Sequence, residues 1–167
     1  MMTSPIAILV TISCVAIIAS GQGSSSSQSY SIGGSTITIN NALNRALLNK
    51  HNSLRDTVAR KGLSTGYDQP TASYMNALFY DPGLALLAQN YLNSQSSCYG
   101  VGHNSNRKSQ FYSTFQGYGA FSYSEGDGIG ENLMWSSDAW SDTAAQAVSQ
   151  AETGWWNEYK WYYYSGE

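Results

Sequence analysis

Apolar positions change their spacing along the chain, and the changes mark its elements. Ile6 to Ala19 is almost continuously apolar. A Ser/Gly stretch follows, and then Thr36-Ile37-Thr38-Ile39 alternates with period two, as a short strand or an extended arm does. From Asn40 the period lengthens: Leu43, Leu47, Leu54 and Val58 fall within about 60° of arc, one face of a helix. Asn40 or Asn41 suits its N-cap, and Gly62 closes it with Arg60 and Lys61 in the last turn. Gly66 to Ser73 has the composition of a loop.

Asp81-Pro82 then gives a strong start signal, because Asp caps well and Pro suits the first helical position. Leu84, Leu87, Ala88, Tyr91 and Leu92 carry that helix to about Ser94. Residues 104–130 hold five glycines interleaved with Phe and Tyr, and predict a long excursion with little regular structure. Glu131 to Trp135 reads as a short extended segment. Ser141 and Asp142 offer caps for a third helix, with Val148, Ala151, Trp155 and Tyr159 on one face and Glu158 at its edge. No internal repeat is present. The helical faces call for a further layer to pack on, and the strand runs that would build one are few.

Composition narrows the partners. At 167 residues the chain has the length of one domain with a real core, and its net charge of −3 lacks the basic stripe a phosphate backbone demands, so nucleic acid is excluded as a partner. Thirteen Tyr and five Trp against four Phe favour half-buried grooves, where a ring supplies area and its polar tip supplies orientation. The apolar run at residues 6–19 is too short for a membrane span and ends in small residues, so residues 1–21 read as a secretory signal peptide. The chain is therefore expected to be secreted and extracellular, not integral to a membrane. Residues 22–40 read as a flexible Ser/Gly-rich leader. Once the signal peptide is removed, Cys98 is the one cysteine left. It is then open to an intermolecular bond, to life as a reactive thiol, or to a partner in chain not present.

Chemistry concentrates around Gly130-Glu131-Asn132-Leu133. Glu131 lies between the Gly-rich run and the last helix, which carries Glu158, and His103 stands just after Cys98. Two carboxylates and an imidazole are the vocabulary of acid–base work or of a metal site. His51, on the rim of the first helical stripe, reads as a packed rim residue.

These stretches together resemble the CAP superfamily of cysteine-rich secretory proteins, insect venom antigen 5 and plant pathogenesis-related protein 1. Leu47-Leu48-Asn49-Lys50-His51-Asn52-Ser53-Leu54-Arg55 is similar to its first-helix signature. Met75 to Gln89 is similar to its second helix, Cys98 with His103 to the following segment, and Gly130 to Leu133 to a family motif. Trp155-Trp156-Asn157-Glu158 resembles its Trp-x-x-Glu helix, and the likeness runs from about Asn41 to Tyr164. It implies an α+β fold, an α-β-α sandwich, with residues 41–167 forming a partial CAP domain that lacks its C-terminal strands. By resemblance, His103, Glu131 and Glu158 are three of the four cleft residues that hold a divalent metal such as zinc in some members. The fourth, a later histidine, and a partner for Cys98 are absent. The resemblance further implies an extracellular binding or effector module of allergen-like type, taking a sterol, lipid or protein ligand. A metal-dependent hydrolase and a non-functional truncated fragment are the alternatives.

Overall fold

The computed structural model describes residues 7–10, 27–61, 71, 72, 74–96, 101–124, 126, 128–134 and 144–158. In chain order the elements are strands β1 (Ala7–Val10), β2 (Ser27–Ile32) and β3 (Ser35–Asn40), then helices α1 (Asn41–Lys61) and α2 (Pro82–Asn93). A helical stretch follows, made of α3 (Arg107–Gln110), a π turn (Phe111–Phe115) and a 3₁₀ turn (Gln116–Tyr118). Strand β4 (Ile129–Asn132) and helix α4 (Ala144–Asn157) complete the order. The mixture of helices with small sheets is α+β.

The leader expected over 22–40 is, from Ser27 onward, an antiparallel hairpin of β2 and β3. Gly33 and Gly34 form its two-residue turn with φ of +57° and +82°, the left-handed pair a type I′ connection requires. Alternation decides the faces. Ile37 and Ile39 point into the core with 2% exposure each, while Thr36 and Thr38 face out. The alternation at 36–39 marks β3 in the sequence, whereas the Ser-rich composition of 27–32 hides its partner β2.

Helix α1 starts where Asn40 Oδ1 accepts from Leu43 N at 3.0 Å. Leu43 and Leu47 are buried, and Leu54 and Val58 half-buried, as the spacing predicts. Asn52 and Arg55 strap the next segment onto the helix. Asn52 accepts from Leu78 N at 2.7 Å and donates to Leu78 O at 3.0 Å, and the Arg55 guanidinium donates twice to Asn76 O.

Helix α2 is capped by Asp81 Oδ1, which accepts from Leu84 N at 2.9 Å. Leu86, Leu87 and Phe111 are fully buried and join Ile37, Ile39 and Ile129 in one cluster. Burying each such side chain contributes roughly 1.5–3 kcal/mol. The helical stretch at 107–118 corrects the expectation of an irregular excursion. Phe111 and Phe115 are four residues apart and both buried, a helical repeat that the neighbouring glycines hid. Gly83 is where this stretch meets α2: a Cβ there would lie 2.6 Å from Phe115 O. The extended segment at Glu131 begins two residues earlier than expected, at Ile129. Of the third helix's expected features, Val148 is buried and Trp155 half-buried, while Ser141, Asp142 and Tyr159 lie outside the described residues.

Candidate functional site

Glu131 belongs to β4, and its side chain is 1% exposed. Its Oε2 accepts from His103 Nδ1 at 2.7 Å and from Asn104 N at 2.9 Å. A carboxylate only accepts, so Nδ1 carries the proton of this bond and Nε2 is left to the solvent side of a ring that is 62% exposed. Glu131 Oε1 is buried with no hydrogen-bond partner among the described residues.

Asn104 and Arg107 hold this pair in place. Buried Asn104 donates through Nδ2 to Gln110 Oε1 at 2.8 Å and accepts at Oδ1 from Asn106 N at 3.1 Å, an Asx turn that opens the helical stretch. Arg107 Nε donates to Ile129 O at 2.6 Å and its Nη1 to Asn104 O at 3.0 Å. The guanidinium thus ties the His103 loop to the strand that carries Glu131. Sequence reasoning missed both residues. Asn-x-Asn before Arg107 was the available signal, a turn former ahead of a helix start.

The three expected cleft residues are not brought together. His103 meets Glu131, but Glu158 is exposed at the C-terminal end of α4. Among the described residues no group of three or more His, Cys, Asp or Glu is placed to hold a metal ion. Zinc requires three protein ligands and water at the least, so the donors as placed do not fit it. Cys98 lies outside the described residues.

The last helix reaches the site through a neighbour of Glu158. Trp155 Nε1 donates to Leu133 O at 3.1 Å, two residues past Glu131, and its ring lies 6.1 Å from that of His51. His51 Nδ1 donates to Leu47 O at 3.0 Å, so it sits on the rim of α1 against α4.

A second feature lies between α1 and α2. A cavity of about 70 Å³ is lined by Leu47, Leu48, Leu78, Leu84, Asn44 and Tyr80, with Phe79 at its side. Burial pushes the Tyr80 hydroxyl above its ordinary pKa near 10, opposed by the hydrogen bond from Asn44 Nδ2 at 3.4 Å. Phe79 is 73% exposed and its ring lies 6.0 Å from that of Phe121, itself 44% exposed.

The family model described as CAP, the cysteine-rich secretory protein family, matches residues 48–167. The chain belongs to the CAP family. No curated protein and no solved structure matches it at a significant level. CAP proteins are typically extracellular binding or effector domains. Among the described residues, no helix is long and apolar enough to cross a membrane.

Proposed function

We propose that this CAP domain is secreted, with residues 1–21 as a removable leader, and acts by binding an apolar ligand of sterol or lipid type outside the cell. The observation that carries this reading is the exposed pair Phe79–Phe121 beside the cavity under Tyr80. Two large rings held together in water mark a surface that gains by being covered. The cavity is well below the roughly 300–1,000 Å³ of pockets that enclose a drug-sized molecule. A ligand therefore lies across the two rings and inserts only an end between α1 and α2, with the Tyr80 hydroxyl and Asn44 as the polar contacts. Displacement of a fluorescent sterol or fatty-acid probe from the purified protein tests this. Phe79→Ala and Phe121→Ala are each expected to weaken binding about 5- to 30-fold, the usual cost of truncating an aromatic anchor. Absence of probe binding, or affinity unchanged in both variants, rejects the reading.

One observation favours a second reading. Glu131 orients an exposed imidazole through Nδ1, leaving Nε2 open as a general base. A hydrolytic activity abolished by His103→Ala and untouched by Phe79→Ala favours that alternative.

A further inference from the structure

Strand β1 lies parallel to β4, with Ala7 opposite Ile129, Ile8 opposite Gly130, Leu9 opposite Glu131 and Val10 opposite Asn132. Among the described residues their sheet has these two strands alone. β1 also packs on α2, the helix whose Leu86 and Leu87 have no exposure. On the β4 side, Arg107 takes Ile129 O and Asn104 takes Glu131, so the strand is already fastened at the helical stretch. β1 supplies its ladder.

A parallel pair of four residues is marginal by itself, because parallel pairing is the weaker kind and two strands alone seldom persist in water. What favours it here is its place, paired with β4 and in contact with α2. Ala-Ile-Leu-Val has the composition of a strand: it is uncharged, without Pro or Gly, and half of it is β-branched. The same four residues belong to the apolar run that the sequence marks for removal. The two roles conflict, since a cut after Gly21 takes the strand away from β4.

We propose that Ala7–Val10 acts as a built-in strand completing the sheet opposite Glu131 while the N-terminal segment is attached, and that removing it opens a strand-accepting slot between β4 and α2. The slot takes an extended, uncharged apolar peptide in parallel register, by main-chain hydrogen bonding. Only the timing of its opening in the cell rests on reading residues 1–21 as a leader. The slot itself is tested on chains of defined length.

The experiment is amide hydrogen exchange on the chain from Met1 and on the chain from Gln22, the second with and without a peptide spanning Ile6–Ser13. Of the amides of Ile129–Asn132, the alternate ones that face β1 are expected to exchange at least about a hundredfold faster in the shorter chain, as local opening of an unpaired strand allows, and to regain protection when the peptide is added. Successive strand N–H groups point to opposite flanks, so in the full chain one of Ile8→Pro and Leu9→Pro removes a ladder bond and the other does not. One of the two is expected to reproduce the deletion. Equal exchange in both lengths, or two silent prolines, overturns the proposal. A shorter chain that loses protection in α2 as well as β4 supports it if the peptide restores both, and overturns it if the peptide restores neither.

Discussion

Asp81 and Tyr123 are joined by a hydrogen bond of 3.2 Å, the phenol donating to Oδ2 across 42 positions of sequence. The same oxygen accepts from Ala120 N at 2.9 Å, while Oδ1 caps α2. One carboxylate, 4% exposed, therefore both starts a helix and holds the loop that presents Phe121. Asp81→Ala removes a cap and strands two donors, and is expected to cost about 2–4 kcal/mol. Asp81→Asn keeps the capping oxygen but turns an amide toward Ala120 N and Tyr123, so it is expected to fall nearer to Ala than to wild type. Urea midpoints of the two variants check this, and a silent Asp81→Asn counts against the shared-carboxylate account.

Close approach at Gly83 leads to a second expectation. A methyl group 2.6 Å from Phe115 O forces α2 and the π turn apart. Gly83→Ala is expected to destabilise by about 1–3 kcal/mol, although alanine is the better helix former. Thermal denaturation decides it. A rise in Tm would show that the backbones yield freely there.

The His103–Glu131 pair is asymmetric, and the asymmetry is measurable. Removing His103 loses a bond at a ring that is 62% exposed, whereas removing Glu131 leaves the amide of buried Asn104 without an acceptor. Glu131→Ala is expected to cost about 1–3 kcal/mol and His103→Ala under about 1 kcal/mol. Equal losses would mean that the bond to His103, not the one to Asn104, is what matters. With Glu158 at the surface and two donors in place, zinc ions or a chelator are expected to leave Tm within about one degree, since a ligand stabilises only by binding the native state. A large zinc-induced rise would place a third ligand at the site.

Tyr80 sets an alkaline limit. Its folded pKa is raised by burial above the ordinary value near 10. The native state therefore holds its proton where the unfolded chain releases one. Stability is full below pH 10 and falls as pH climbs from there through the folded value. Tyr80→Phe is expected to flatten that fall above pH 10 at the expense of Asn44's bond. Stability profiles of the two proteins from pH 8 to 11 that run parallel would exclude Tyr80 as the group responsible.

How much of this was legible in the sequence depended on whether the signal was local. The Asp81-Pro82 start and the Leu43/Leu47 stripe are periodic or capping patterns, and both appear as read. The 27–40 hairpin is legible only in its second strand, where 36–39 alternates; Ser-rich composition hides β2, although Gly33-Gly34 is a sufficient turn signal. The helical stretch at 107–118 is hidden because Gly117 and Gly119, which close it, give its surroundings the composition of a loop. At the candidate site, Glu131 and His103 stand out in the sequence through their motif neighbours, and the fold brings the two side chains into contact. Asn104 acts through its own backbone N–H on a carboxylate 27 residues away, and Arg107 on a carbonyl 22 residues away, which no spacing rule reports. The position of Glu158 also depended on tertiary placement, since its spacing leaves it at the margin between an inner and an outer face.

The hairpin has a consequence for handling the protein. No charged side chain precedes Arg45, so β2 presents Ser27, Ser29 and Ser31 without a lysine, a proline or a bulge to discourage another strand from adding alongside. Natural edge strands carry such guards against cross-chain pairing. Among the described residues the outer edge of β2 has no neighbouring strand, so concentrating the protein is expected to drive edge-to-edge association there before any other contact.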